Sequence, residues 1–167
     1  MVRYYKKTLN MGLLFFIASI LSILSFPYNP LIIFKVIEPN DIKILWYIGW
    51  LSWAVGIILV GLSYYYIYIR RAKVLVESGI YKVIRHPLYL GWILSIFVAT
   101  IFLYQHWIFI VIGIIGAASI YLISREEEHL NIKQLGIDYI NYIKKIPRMN
   151  IILGIIRLLR RRNKISN

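Results

Sequence analysis

Hydrophobic residues fall into four long runs along this chain. The runs cover residues 9–27, 44–69, 88–104 and 107–124. Each run has 17 or more residues, about the length that an α-helix needs to cross the hydrocarbon core of a bilayer. The pattern therefore predicts four membrane-spanning helices. Since only Gln105 and His106 separate the last two runs, those two helices should form a tight hairpin.

Three further stretches are apolar or amphipathic without being long enough to span. The chain after Arg125 places charged residues between regularly spaced leucines and isoleucines. It predicts an amphipathic helix that continues the fourth span, breaks near Gly136 and ends at Pro147. The basic tail from residue 151 is expected to lie on an anionic membrane surface. The apolar piece at residues 31–37 should lie in the interface or re-enter the membrane.

These patterns predict an all-α membrane protein that folds as one domain over residues 1–167. We expect four to five transmembrane helices, followed by amphipathic C-terminal helices in the cytoplasm. Small residues let membrane helices approach closely, so glycines inside the runs are expected at helix contacts. Those glycines are Gly56 and Gly61 in the second run and Gly113 and Gly116 in the fourth.

Charge is distributed unevenly between the two sides of the predicted bundle. The chain has 20 Lys and Arg against 7 Asp and Glu, a net charge of +13. With four spans, all but two of these cations lie on the side of both termini and of the 70–86 loop, and only Lys35 and Lys43 lie opposite. The positive-inside rule then places the termini and this loop in the cytoplasm. Topology and attraction to anionic lipid explain the charge better than nucleic-acid binding does.

The stretch "GIYKVIRHPLYLGW" at residues 79–92 carries the first candidate chemistry. Gly79 can supply a turn conformation that other residues avoid, and Pro87 suits the first position of a helix. The N–H groups of residues 88–90 should point outward at the positive end of the helix dipole, with Arg85 and His86 just outside it. This arrangement predicts a receptor for a carboxylate or phosphate. Taken alone, the stretch fits an interfacial anchor equally well.

Three glutamates at residues 126–128 carry the second candidate chemistry. Successive helical residues turn by about 100°, so at most two adjacent glutamates can line one cavity. Carboxylates near lipid are costly unless they are paired or functional. They can pair with the cations of residues 70–73, or they can bind the hydroxyl, ammonium or sulfonium groups of a cofactor. The predicted hairpin should bring them close to the Arg-His-Pro turn.

A metal site is not expected from this sequence. Glu126 and His129 form one Glu-x-x-His motif, whereas carboxylate-bridged dimetal sites need two such motifs and further glutamates. The chain has only 3 His and no Cys, which excludes thiolate sites and disulfides. A Gly-rich dinucleotide-binding fingerprint after a strand is also missing from the sequence.

The Arg-His-Pro stretch and the later "EEEHLNIKQLGIDYINYIKKIPR" together resemble the integral-membrane methyltransferases, a group that includes isoprenylcysteine carboxyl methyltransferases and phospholipid N-methyltransferases. The resemblance covers residues 79–148. It implies an S-adenosylmethionine donor bound on the cytosolic side, without a metal, and a lipophilic or prenylated acceptor that enters from the bilayer. Membrane lipid is an implied partner and nucleic acid is not.

The resemblance also implies roles for individual residues. Counting back from Gly136 assigns the family's glutamate pair to Glu127 and Glu128, whereas alignment on Leu130 assigns it to Glu126 and Glu127. Arg148 or Arg85 would orient a carboxylate acceptor. The implied cofactor-binding residues are Tyr81, Arg85, His86, Pro87, Leu88, Tyr89, Glu127, Glu128 and Tyr139.

Alternatives to carboxyl methylation remain open at this point. The methyl acceptor can be a phospholipid amine instead of an isoprenylcysteine-like carboxylate. Membrane sterol reductases, which use NADPH, share Arg-His-Pro but usually continue with Asn-Tyr, and Leu88 in this chain counts against them. A membrane scaffold without enzymatic activity would bind neither nucleotide.

Overall fold

The computed structural model describes residues 42–69 and 75–163, together with residues 14, 16–18 and 20–22 of the first apolar run. No strand occurs among these residues, which confirms the all-α prediction. After the helical residues of the first run, five helices follow: α1 (Lys43–Tyr64), α2 (Pro87–Tyr104), α3 (Trp107–Leu135), α4 (Ile137–Lys145) and α5 (Ile151–Asn163). A π-helical turn at Tyr65–Ile69 extends α1, a π-helical segment at Ile93–Val98 interrupts α2, and a short 3₁₀ helix forms at Gly79–Lys82.

Three of the described helices are long and apolar enough to cross a membrane. They are Lys43–Ile67, which is α1 with part of its extension, then α2 and α3. The spans predicted at 44–69, 88–104 and 107–124 are therefore confirmed, and the chain is an integral membrane protein. Most of the first predicted span and the whole of the 31–37 piece lie outside the described residues.

Helices α1 and α2 cross at a pair of glycines. A Cβ on Gly56 would come within 2.5 Å of the Ser95 backbone N, and one on Gly91 within 2.7 Å of the Gly56 carbonyl. This close approach confirms the prediction for Gly56. The prediction for Gly61 was wrong, because no described atom lies within 4 Å of a Cβ there. Five residues turn a helix by about 500°, which rotates Gly61 roughly 140° away from the face of Gly56.

Helices α2 and α3 form the expected tight hairpin. Gln105 adopts a left-handed conformation with φ of 50°, and His106 Nδ1 accepts a hydrogen bond from the Ile108 N–H at 3.3 Å. The two helices pack through Phe97, which is buried against Gly116. This contact confirms the expectation that Gly116 marks a helix contact.

The hairpin is also joined to the start of α1. The Gln105 side chain accepts from the Ile42 N–H at 2.9 Å and donates to the Ile42 carbonyl at 3.0 Å. One amide side chain thereby satisfies both backbone groups of the residue that precedes α1. The link fixes α1 against the hairpin at this end of the bundle.

The opposite end, which we call the basic end, carries residues 75–90 and 125–163. Helix α3 runs without interruption to Leu135 and stops at Gly136, where φ is 57°. Helix α4 ends at Lys145, ahead of Pro147, so the predicted continuation, break and stop are confirmed. The Asn150 side chain then accepts from the Leu153 N–H at 2.9 Å and caps α5.

Candidate functional site

The Arg-His-Pro turn is held by the chain that follows α4. The Arg85 N–H donates to the Pro147 carbonyl at 3.0 Å, and the His86 N–H donates to the Arg148 carbonyl at 3.1 Å. Upstream, Gly79 has φ of 57° and packs directly beneath the Tyr66 ring, so a Cβ there would overlap that ring. These contacts confirm the turn expected at Gly79 and fix where the Arg85 and His86 side chains emerge.

Glu128 lies at the centre of a cluster of cationic and imidazole groups. Its Oε1 lies 3.1 Å from His86 Nε2 and accepts from Arg148 Nε at 3.0 Å. Its Oε2 accepts from Arg148 Nη2 at 2.5 Å. Since a carboxylate only accepts, this geometry favours the His86 tautomer with a proton on Nε2. Glu128 is only 5% exposed, so its negative charge has to be balanced by these partners.

Arg85 supplies a second guanidinium to the cluster. Its side chain is 7% exposed, and Nη1 lies 3.0 Å from Glu128 Oε1. That contact is an ion pair without an aligned N–H, because neither Nε nor Nη1 has a hydrogen-bond partner among the described residues. Burial lowers the Arg85 pKa, an effect that the Glu128 charge opposes. Two guanidiniums therefore share one buried carboxylate, which leaves an excess of positive charge here.

The predicted meeting of the turn and the glutamates is confirmed by these contacts. The three glutamates nevertheless have different surroundings. Glu128 is buried against the cations, whereas the Glu127 side chain is 39% exposed and its Oε2 lies 3.9 Å from His86 Nδ1. Glu126 is partly exposed and forms no ion pair with a described residue. The cations at 70–73, which are the alternative partners for these glutamates, lie outside the described residues.

A cavity of about 270 Å³ opens beside this cluster, between the end of α1, the Arg-His-Pro turn, α3 and α4. Seven residues singled out from the sequence line it: Tyr81, Arg85, His86, Leu88, Tyr89, Glu127 and Tyr139. We call it the site cavity. Its wall thus carries a guanidinium and a carboxylate together with several phenols.

Three other predicted residues do not line the site cavity. Pro87 is buried at the first position of α2, and Glu128 lies behind the cavity wall against its cations. Arg148 extends away from the cavity, where its Nη1 donates to Tyr121 Oη at 2.7 Å. The expectation for the helix-start amides was wrong at Leu90, because its N–H already donates to the His86 carbonyl at 3.1 Å.

A family model that describes the isoprenylcysteine carboxyl methyltransferase (ICMT) family matches residues 44–132. The match covers more than half of the 167 residues. The chain belongs to the ICMT family. Searches of the curated proteins and of the solved structures give no match. The matched region contains α1, α2, the Arg-His-Pro turn and the three glutamates, whereas α4, which also borders the site cavity, follows it. The ICMT assignment identifies a membrane methyltransferase.

The site cavity of this ICMT-family chain also contains residues that the sequence reasoning missed. They are Ile67, Leu75, Val76, Asn131, Leu135 and Tyr142. Three of them had a usable signal. Asn131 and Leu135 follow Glu127 at four and eight positions along α3, and Tyr142 follows Tyr139 at three positions along α4, so each shares a face with a predicted residue. Ile67, Leu75 and Val76 depend on contacts between distant segments and had no comparable signal in the sequence.

The phenols of the cavity are neutral hydrogen-bonding groups. Burial raises the pKa of Tyr139, although a hydrogen bond with Asn131 opposes this, and burial also raises the pKa of Tyr142. The Tyr142 hydroxyl donates to the Tyr81 carbonyl at 2.8 Å. No group of three or more potential metal-ligating side chains occurs among the described residues. The arrangement therefore offers charged and hydrogen-bonding groups for binding a polar organic molecule.

Proposed function

We propose that this ICMT-family chain transfers a methyl group from S-adenosylmethionine to the carboxylate of a lipophilic, isoprenylcysteine-like acceptor. One observation carries the proposal: Arg85 and Glu127 line the same cavity at the basic end of a membrane methyltransferase. A cation and an anion on one wall match the carboxylate and ammonium of the donor's methionine moiety. The donor is thus expected to enter from the cytosol, which the positive-inside rule assigns to the basic end.

The residues present fit this donor. Arg85 would bind its carboxylate and Glu127 its ammonium, because charge-assisted hydrogen bonds are among the strongest available to a protein. The Tyr139 phenol and the Asn131 amide line the same cavity and would bind ribose hydroxyls. S-adenosylmethionine, when bound, supplies an electrophilic methyl group on a sulfonium. The contribution of the protein is therefore to position the reactants, which can account for a large part of a rate enhancement.

Glu128 and Arg148 would support the site from behind the cavity wall. Glu128 holds His86 at 3.1 Å and pairs with Arg85 at 3.0 Å, which fixes the orientation of both cavity residues. Arg148 completes the pairing of Glu128 and anchors the His86 backbone through its own carbonyl. Because Arg148 lies outside the cavity and Arg85 is assigned to the donor carboxylate, neither arginine is assigned to orienting a carboxylate acceptor.

Apolar residues on one side of the site cavity support a lipophilic methyl acceptor. Ile67, in the α1 extension, and Leu88, in the first turn of α2, line the site cavity at the ends of two segments that are long and apolar enough to cross the membrane. A prenyl chain could approach along this side. A carboxylate oxygen is already nucleophilic at neutral pH, so the transfer needs no general base.

A phospholipid amine is the second candidate acceptor. An amine has to lose a proton, and His86 Nδ1 offers a basic nitrogen at the cavity when Nε2 donates to Glu128. The two acceptors leave chemically different products. A methyl ester is hydrolysed by mild base and releases methanol, whereas an N-methyl group survives this treatment.

The test is a methyl-transfer assay on the purified, lipid-reconstituted protein. Radiolabelled S-adenosylmethionine is supplied with N-acetyl-S-farnesylcysteine or with phosphatidylethanolamine in parallel reactions. We expect base-labile label in the prenylcysteine reaction, loss of that activity in Glu127→Gln, and retained activity in Glu126→Gln. Base-stable label in the phospholipid alone would replace the carboxylate acceptor with an amine. If no label enters either acceptor, the proposal is wrong.

A further inference from the structure

A second cavity, of about 290 Å³, lies on the other side of Tyr81 and Tyr142 from the site cavity. These two tyrosines line both cavities and are joined by the hydrogen bond from Tyr142 to the Tyr81 carbonyl. The new cavity lies between the 3₁₀ helix, the end of α4 and α5. We call it the rear cavity.

Three cations and one carboxylate line the rear cavity. The cations are Lys82, Lys145 and Arg161, and the carboxylate is Glu77. Arg161 is held in place because it donates to the carbonyls of Lys82 and Arg157. Within the described part of the chain, neither lysine forms an ion pair with a carboxylate. The rim therefore has an excess positive charge, while Ile146 and Leu158 make part of the lining apolar.

Helix α5, which forms one wall of this cavity, has two different faces. One face contacts the protein: Gly154 packs on the Val83 carbonyl so closely that a Cβ would lie 2.1 Å from it, and Leu158 lines the rear cavity. The opposite face carries an exposed apolar stripe at Ile152, Ile155, Ile156 and Leu159. Such a stripe with arginines beside it is typical of a helix that lies in the interface of a bilayer.

We propose that the rear cavity binds the headgroup of an anionic phospholipid. The phosphate would lie among Lys82, Lys145 and Arg161, and the glycerol and first acyl carbons would lie against Leu158 and the apolar stripe of α5. A zwitterionic lipid would bring an ammonium group to the same cationic rim, so its binding should be weaker. The inference depends on the rear cavity and α5 and does not rest on the proposed methyl transfer.

The chain offers a matched pair of variants for the test. Lys145→Gln with Arg161→Gln removes two cations from the rear cavity. Lys144→Gln with Arg160→Gln removes two exposed cations one residue away on the same helices, neither of which lines this cavity. Both variants lower the net charge by the same amount, so general attraction to an anionic surface changes equally. Only binding in the rear cavity separates them.

The measurement is the rise in thermal unfolding midpoint when a short-chain lipid is titrated into the detergent-purified protein. The probes are dihexanoyl phosphatidylglycerol, dihexanoyl phosphatidylcholine and inorganic phosphate. Each cation near an anionic headgroup changes affinity by roughly fivefold. We therefore expect the half-maximal phosphatidylglycerol concentration to increase by about 25-fold in the rear-cavity variant and to stay near the native value in the matched variant.

Equal shifts in the two variants would overturn the proposal, because they would indicate diffuse surface attraction. Stabilisation by inorganic phosphate to the same extent would also overturn it, since the ligand would then be a soluble anion. If loss of the Arg161 hydrogen bonds destabilises the double variant, Lys145→Gln and Lys144→Gln provide the same comparison. The expected difference between these two is then about fivefold.

Discussion

Glu128→Gln should destabilise the protein strongly, because this carboxylate is the shared partner of both guanidiniums in the cluster. The change keeps the volume of the side chain and removes its charge. His86 Nε2 and Arg148 Nε can still donate hydrogen bonds to an amide oxygen, but Arg148 Nη2 would lose its acceptor. Arg85, whose side chain is 7% exposed and whose Nε and Nη1 have no hydrogen-bond partner among the described residues, would lose its 3.0 Å ion pair.

The expected magnitude follows from the burial of this pair. Removing one partner of a buried ion pair typically costs about 3–5 kcal/mol. Arg148 is 24% exposed and can turn toward solvent, whereas Arg85 is enclosed, so we expect a value near the lower end, about 3 kcal/mol. For a chain of this size, about 1 kcal/mol corresponds to roughly 2–4 °C in the unfolding midpoint, which gives a decrease of about 6–12 °C.

Thermal unfolding in detergent, followed by the fluorescence of the 5 Trp residues, measures this shift. Glu126→Gln is the control, because it makes the same chemical change at a partly exposed position without an ion pair to a described residue. Its free energy of unfolding should stay within about 0.5 kcal/mol of that of the native protein. Adding Arg85→Met to Glu128→Gln should recover stability, since no buried charge is then left unpaired. Equal midpoints for Glu128→Gln and Glu126→Gln would refute this reasoning.

Two further predictions concern packing and the link at the opposite end. Gly154→Ala should lower stability by about 1–3 kcal/mol, because its Cβ would overlap the Val83 carbonyl. The control is Gly61→Ala, which meets no described atom within 4 Å and should be neutral or slightly stabilising. Equal unfolding midpoints for these two variants would contradict the packing of α5. In Gln105→Asn, the new residue can adopt the left-handed conformation, but its side chain is too short to reach the Ile42 backbone. The unfolding midpoint should fall by about 2–4 °C, since roughly 1 kcal/mol of hydrogen bonding is lost. A midpoint equal to that of the native protein would show that this link contributes no stability.

The membrane helices were predictable because hydropathy alone determines where the chain enters the bilayer. The starts predicted at residues 44, 88 and 107 lie within one residue of Lys43, Pro87 and Trp107. Hydropathy does not predict which face of a helix contacts a neighbour, as the wrong prediction for Gly61 shows. That face depends on the rotation of the helix about its axis, which is determined by packing and not by the number of apolar residues.

The site was predictable in outline for a similar reason. The short link at Gln105 required the Arg-His-Pro turn and the glutamates to meet, and they do. The division of roles between Glu127 and Glu128 was not predictable, because adjacent residues differ by about 100° in direction. The rotation of α3 that separates them is set by contacts such as Phe97 on Gly116.

The position of Arg148 illustrates what sequence spacing leaves undetermined. It lies 20 residues from Glu128 along the chain, and the two meet because the chain turns at Gly136 and again around Pro147. The resemblance suggested a role for Arg148 with the acceptor. The structure instead places it outside the site cavity, on the buried carboxylate.

Calorimetric titration of the detergent-purified protein with S-adenosylhomocysteine tests the central claim most directly. We expect one molecule to bind per chain, with NADPH giving no binding. Loss of a charge-assisted hydrogen bond costs about 1.5–3 kcal/mol, so Glu127→Gln should weaken binding by roughly tenfold or more, whereas Glu126→Gln should bind like the native protein. Absence of S-adenosylhomocysteine binding, or native affinity in Glu127→Gln, would contradict the assignment of the site cavity to the methyl donor.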